Sequence, residues 1–143
     1  MLISTKGRYA LRVMVDLAEH REEGFVPLKA VAQRQDISEK YLESIVKLLV
    51  QDGLLASLRG KGGGYQLTRT PEEYTIGRVL RLTESTLAPV SCLEEGTRAC
   101  PRAGKCRTLS VWTGLDKVIS GYLESMTVAD LVGEGGEDRP AED

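Results

Sequence analysis

The chain has 143 residues, about one domain's worth of material, and folding at that length buries roughly two-thirds of the unfolded surface without a disulfide scaffold. It is 41% hydrophobic and 28% charged, which excludes wholesale disorder, and an aromatic content of 5% predicts a mainly aliphatic core. The net charge of −2 hides a division, because residues 1–70 carry 11 Lys/Arg against 8 Asp/Glu while residues 71–143 carry 8 against 13, so the front half alone suits an anionic polymer.

The first periodic segment runs from about Lys6 to Glu22, with Ala10, Val13, Met14, Leu17 and Ala18 on one helical stripe and Gly24 as its stop. Pro27 suits the first turn of a short second helix carrying Leu28, Val31 and Ala32, and residues 33–37 read as a turn. Ser38 is a good N-cap for a third helix, in which Leu42, Ile45, Val46 and Leu49 repeat the stripe until Asp52-Gly53. After Gly53 the period changes. Residues 54–58 and 65–68 read as two short strands around Arg59-Gly60-Lys61-Gly62-Gly63-Gly64, a hairpin with a glycine-rich tip. A fourth helix is expected from about Thr75 to Ser85. Residues 86–106 lack periodicity and hold all three cysteines; long loops of this kind are commonly functional. A helix returns from about Arg107 to Met126, with Val111, Leu115, Val118, Ile119, Tyr122 and Met126 along one side, a rod of about 30 Å. Thr127 with Asp130 predicts a capping box on a last turn, and residues 132–143 form an acidic tail whose composition predicts disorder.

Helix, helix, turn, helix, hairpin is the order of a winged helix-turn-helix. The expected fold is therefore mainly α: a DNA-binding domain with a two-stranded wing over residues 1–85, a cysteine-bearing loop over 86–106, a long helix over 107–131, then the tail. From Gly53 to Thr70 there are three cations, Arg59, Lys61 and Arg69, and no acid. Gly60 and Gly62 strip side chains from the tip, so backbone N–H groups and the two flanking cations can approach phosphate. The exposed side of the third helix offers Ser38, Lys40, Tyr41, Ser44 and Lys47 to phosphate oxygens, and Glu43 as an acceptor for cytosine N4. The glycine loop is not a nucleotide-binding P-loop, since Gly-Lys is followed by Gly62 and no helix starts there.

Ser4-Thr5-Lys6-Gly7-Arg8-Tyr9-Ala10, Tyr41-Leu42-Glu43 and the run Arg59-Gly60-Lys61-Gly62-Gly63-Gly64-Tyr65 resemble the IscR/NsrR/CymR family of winged helix-turn-helix bacterial transcription regulators. The resemblance covers residues 1 to about 131, and the Arg-Gly-x-Gly-Gly-Gly-Tyr hairpin is its most specific part. It implies a homodimer on a pseudo-palindromic double-stranded operator, with the long helix as the dimer helix. The sequence agrees independently, because that helix has a longer apolar stripe than its own small domain covers.

Cys92, Cys100 and Cys106 lie within fifteen residues, separated by seven and by five. Grouped cysteines in a loop point to metal or redox chemistry. Arg98, Arg102, Lys105 and Arg107 favour thiolate, and Pro101 and Gly104 suit a tight fold around an inorganic core. The residues leave open an iron–sulfur cluster, a cluster-free switch in which two thiols form a reversible disulfide, and zinc; neither gap matches the short spacing of structural zinc sites. Family resemblance implies a [2Fe–2S] or [4Fe–4S] cluster on the three cysteines, although the first gap is longer than in the best-known members, and Leu109 stands where some of them place a histidine. The fourth ligand is open among Asp16, Glu19 and His20 of a partner's first helix, Glu94, Glu95, an external thiol or water. An enzyme is not expected, with one distant histidine and no Cys-x-x-Cys. Apolar runs of a few residues predict no membrane span, and the polar turn after Ile3 no secretory signal, so the expected location is the cytoplasm. The expected function is a DNA-binding regulator, a repressor by its likeness, answering to a cluster; the alternatives are a thiol-based redox regulator and a cofactor-independent one.

Overall fold

The computed structural model describes residues 2–96 and 100–133. Arg98 and the tail from residue 134 lie outside the described residues. Helix α1 spans Thr5–Glu19, opened by Ser4, whose Oγ accepts the Gly7 N–H at 3.0 Å. Its predicted stripe is the centre of the core: Ala10, Val13 and Met14 are fully buried and Leu17 nearly so. The chain then makes a 3-10 turn at Arg21–Glu23 rather than prolonging the helix to Glu22.

Helix α2 spans Leu28–Gln35, one turn further than the sequence reading placed it. The reason is a side chain on α1. Asp16 lies in the core stripe and is 1% exposed. Arg34 grips it with a fork, Nε to Oδ2 at 3.0 Å and Nη2 to Oδ1 at 2.7 Å, and Gln35 Nε2 donates to Oδ2 at 2.9 Å. Both α2 residues must be helical to reach it, so the reversal is compressed into Asp36, the one non-glycine residue with positive φ (+53°) among the described residues. Bonding to Asp16 also raises the Arg34 pKa further above its ordinary value.

Helix α3 spans Glu39–Gln51, with Ser38 Oγ accepting the Tyr41 N–H at 3.1 Å as its cap. Leu42, Ile45, Val46 and Leu49 are buried against α1 and α2. Strands β1 (Leu55–Leu58) and β2 (Gly64–Leu67) pair antiparallel, with Leu55 opposite Leu67 and Leu58 opposite Gly64. A bridge between Val26 and Tyr65 ties this hairpin to the entry of α2. Gly64 is obligatory there, because a side chain would land on the Val26 carbonyl. Buried Tyr74 closes the hairpin's base: its hydroxyl donates to the Leu54 carbonyl at 2.9 Å and accepts the N–H groups of Thr68 and Arg69. The sequence reading had no signal for this clamp.

Helix α4 spans Ile76–Thr83 and packs on α1, where Gly7 leaves room for the Glu84 carboxylate, which accepts the Ser4 N–H at 2.6 Å. The described residues between α4 and α5, 85–96 and 100–108, are irregular apart from a 3-10 turn at Ser91–Leu93. Helix α5 spans Leu109–Ser125 and buries none of its residues in the protomer. Val111, Leu115, Val118 and Tyr122 stay 42–68% exposed along it. Its carboxyl end is held down: Arg81 pairs with Glu124, Ile76 N–H donates to the Met126 carbonyl, and Val128 N–H donates to the Tyr74 carbonyl. Helix α6, Val128–Leu131, opens with the predicted Thr127–Asp130 capping box and sinks Val128 completely into the core of the first unit. Among the described residues no helix is long and apolar enough to cross a membrane.

Asp16→Asn removes the charge that Arg34 and Gln35 were folded to reach. The expected cost is about 3 kcal/mol, the low end for breaking a buried ion pair because Arg34 keeps a third of its side chain in water. Urea unfolding at pH 7 checks it: the midpoint drops while the denaturant slope stays constant.

Candidate nucleic-acid interface and cysteine segment

The outward face of α3 is polar because its inward face is not. Lys40, Glu43, Ser44 and Lys47 are all exposed, and Tyr41 is 37% exposed. Ser38 Oγ is used as a cap acceptor, and Ser44 Oγ donates to the Tyr41 carbonyl at 2.8 Å. Each hydroxyl keeps one role for a ligand, donor at Ser38 and acceptor at Ser44. Tyr41 is held in place by a residue the sequence reading passed over: the Tyr9 ring of α1 meets it edge-on at 5.7 Å. The aromatic pair was legible only as two polar-face tyrosines 32 positions apart, with no periodic signal joining them.

In the hairpin tip Arg59, Gly60, Lys61 and Gly62 are exposed. Gly60 (φ +91°) and Gly62 (φ +78°) adopt a backbone that side chains strain against, which folds the tip tightly and bares its amides. Neither Arg59 nor Lys61 pairs with a carboxylate among the described residues. The predicted interface residues therefore fall on two neighbouring, outward-facing elements: a polar helix and a cationic wing that directly follows it. A polar helix beside a cationic wing matches in chemistry what the groove and backbone of duplex DNA present.

The three cysteines share the connection between the first unit and α5. Cys92 sits in the 3-10 turn and is exposed, Cys100 is half-buried, and Cys106 is exposed two residues before Thr108, which caps α5. All three are free thiols. Hydrogen bonding to the Thr108 hydroxyl, then to the Thr108 and Leu109 amides, with the charge of Arg102, lowers the Cys106 pKa from the ordinary thiol value. The donor chemistry thus fits a thiolate-bound metal group: free sulfur, exposure, a bias toward thiolate and exposed Arg102, Lys105 and Arg107 around it. Among the described residues no three His, Cys, Asp or Glu side chains converge as a ready-made metal site. One proposed fourth ligand is ruled out by its partners, since both oxygens of Asp16 are taken by Arg34 and Gln35 inside the core. Glu19 is exposed, and His20 Nδ1 lies 2.7 Å from the Asp16 carbonyl.

Between α4, the start of the cysteine segment and α5 runs a cleft of about 270 Å³, lined by Arg81, Glu84, Glu95, Asp116, Ser120 and Leu123 among others. It separates the middle of α5 from the DNA-binding unit.

A family model described as Rrf2, iron-dependent transcriptional regulator, matches residues 3–134. The HTH-type transcriptional regulator IscR of Serratia proteamaculans (strain 568) is 39% identical over 132 residues, spanning 92% of this chain and 79% of that protein. Among solved structures, CymR (YrzC), the global cysteine regulator of B. subtilis, has a TM-score of 0.74 at 37% identity, covering 92% of this chain and 95% of its own. IscR of T. potens has a TM-score of 0.73 at 36% identity, covering 100% and 94%. These relatives share the winged fold and are named as regulators, so the expectation of a DNA-binding transcription regulator rather than an enzyme holds. The chain is a member of the Rrf2 family of transcriptional regulators.

Proposed function

We propose that this protein works in the cytoplasm as a homodimeric repressor on a pseudo-palindromic operator, and that its hold on DNA answers to an iron–sulfur cluster bound by Cys92, Cys100 and Cys106. The observation that carries this reading is the position of three free thiols on the one segment that joins the DNA-binding unit to α5. The family's description as iron-dependent supports it as well.

Helix α3 enters the major groove, where Glu43 accepts from a cytosine amine and Lys40, Tyr41, Ser38, Ser44 and Lys47 reach base edges or phosphates. The wing lays Arg59 and Lys61 along the adjoining backbone, and the amides of Gly60 and Gly62 approach phosphate without side-chain obstruction. Helix α5 supplies the dimer contact through Val111, Leu115, Val118 and Tyr122, an apolar stripe that its own protomer leaves in water. A cluster, when bound, supplies bonds to sulfur that are made or broken with iron supply and oxidation. Cys92, Cys100 and Cys106 would be its protein donors, and holding their three sulfurs together would constrain the segment that leads to α5. With Asp16 excluded, Glu19, His20, Glu94 and Glu95, an external thiol or water remain for the fourth position. A second reading is a reversible disulfide without a cluster; it is supported by the likeness to CymR, the global cysteine regulator of B. subtilis.

Four outcomes are expected. Operator binding, followed by fluorescence anisotropy, weakens steeply with salt, and Lys61→Ala lowers the slope of log K against log salt by about 0.9 for each phosphate contact removed. Arg59→Ala weakens binding to the operator and to an unrelated duplex by a similar factor, since its guanidinium lies along backbone rather than base edges. Leu115→Asp with Val118→Asp converts a dimer to a folded monomer in sedimentation equilibrium. Protein purified without air shows visible absorption with bound iron and acid-labile sulfide; Cys100→Ala loses all three and keeps its circular dichroism. A colourless protein whose DNA affinity follows thiol oxidation alone establishes the disulfide reading instead.

A further inference from the structure

The second face of α1 is turned mostly to solvent, with Tyr9 alone of its residues packed against the core. Thr5, Arg8, Tyr9 and Arg12 recur at i, i+3, i+4 and i+7, so they share one side of the helix, and no carboxylate occurs in α1 before Asp16. Arg8 and Arg12 are exposed, and neither pairs with a carboxylate among the described residues. By contrast Arg34, Arg78 and Arg81 are all engaged with acids. Arg8 Nη2 donates to Thr5 Oγ1 at 3.0 Å, which lays the guanidinium along the helix surface.

This face is joined to the recognition helix. The Arg12 guanidinium lies 5.1 Å from the centre of the Tyr9 ring, and Tyr9 stands edge-on to Tyr41 with the planes at 89°. Arg12 is itself fixed: its Nε donates to Gln35 Oε1 at 3.1 Å, and its Nη2 donates to the Gln35 carbonyl where α2 ends. Arg12, Tyr9 and Tyr41 therefore form a stack that sets the cationic side of α1 against the amino end of α3. The wing follows the opposite, carboxyl end of α3.

A helix with its side chains is about 10–12 Å across and fills a major groove about 12 Å wide, so a row of phosphates runs past each of its flanks. The wing meets one stretch of backbone. We propose that the amino-terminal half of α1 meets another: Arg8 and the hydroxyls of Tyr9 and Tyr41 grip phosphates beside the amino end of α3. Arg12 acts as a positioning residue that holds the two rings for that contact. Arginine, tyrosine and threonine are ordinary phosphate ligands, and such contacts fix a protein's register on the duplex without reading sequence. The inference rests on the DNA-binding reading and extends its surface to a second helix.

The test uses the full chain and a duplex selected from random oligonucleotides, with anisotropy titrations between about 50 and about 200 mM salt. Arg8→Ala is expected to weaken binding to the selected duplex and to an unrelated one by the same factor. It lowers the salt slope by about 0.9 per contact, or about 1.8 in a dimer that carries the change twice. Across that fourfold salt range each lost contact removes about 3.5-fold of the salt effect. Arg8→Lys keeps the slope, and Arg8→Gln repeats the loss should alanine disturb α1. Arg12→Ala is expected to lower affinity with little change in slope, since its guanidinium orients rings rather than neutralising phosphate. An Arg8→Ala protein with the parent's affinity and slope, measured beside a Lys61→Ala protein whose slope falls, overturns the inference and leaves the DNA-binding reading standing. Failure of the parent chain to bind any duplex overturns both.

Discussion

A single buried carboxylate sets the geometry on which DNA recognition depends. Asp16 occupies a position in the α1 core stripe that would ordinarily be apolar, and it is satisfied by a guanidinium fork and an amide from the last turn of α2. An ionised carboxylate taken from water is costly unless paired and bonded in this way. The requirement fixes where α2 must end, forces the reversal into Asp36, and so determines the angle at which α3 leaves the turn. Gln35 serves twice, since its carbonyl and side-chain oxygen also receive Arg12. The core beneath is aliphatic and tolerant in kind; the ion pair supplies direction.

Around that joint, α1 acts as the hub. It touches α2, α3, α4, α6 and β2; buried aliphatic residues and Gly7 form the base of that packing, while Asp16 and Arg12 add polar links to α2 and Tyr9 an aromatic one to α3. The wing is fixed separately, by the Val26–Tyr65 bridge at one edge and by the Tyr74 hydroxyl at its base. Helix α3 and the wing are thus positioned by different interactions, and the exposed cations at the tip pair with no acid among the described residues.

Much of this was legible before any coordinates. The helices announced themselves because their buried residues recur at helical spacing, and Ser38 and Thr127 open α3 and α6 as expected, while the Ser4 cap of α1 emerges only in the structure. The wing was legible from its glycines and the change of period after Gly53. Features that escaped are those made by side chains far apart in sequence. Arg34 and Gln35 look like turn residues until Asp16 is seen between them, and Tyr74 looks like an ordinary core aromatic until its hydroxyl is traced to Leu54, Thr68 and Arg69. Tyr9 and Tyr41 give no periodic hint of meeting. Val128 reads as the end of the long-helix region, yet it completes the core of the first unit. For the three cysteines, residue type and spacing pointed to sulfur chemistry, while the shape they adopt around a ligand depends on that ligand and is written in neither stripe nor cap.

The carboxyl end of α5 is tied to the first unit by the Arg81–Glu124 ion pair and by the Ile76 N–H on the Met126 carbonyl. Its other end adjoins Cys106, and a cleft lies beneath its middle. A rod of 17 residues is about 25 Å long. Turning such a rod by about 10° about its carboxyl end carries its amino end through about 4 Å, on the scale of a whole helical turn's rise. A movement too small to disturb packing at the pivot is therefore magnified at the sulfur-bearing tip, and in a paired assembly the same leverage runs in reverse.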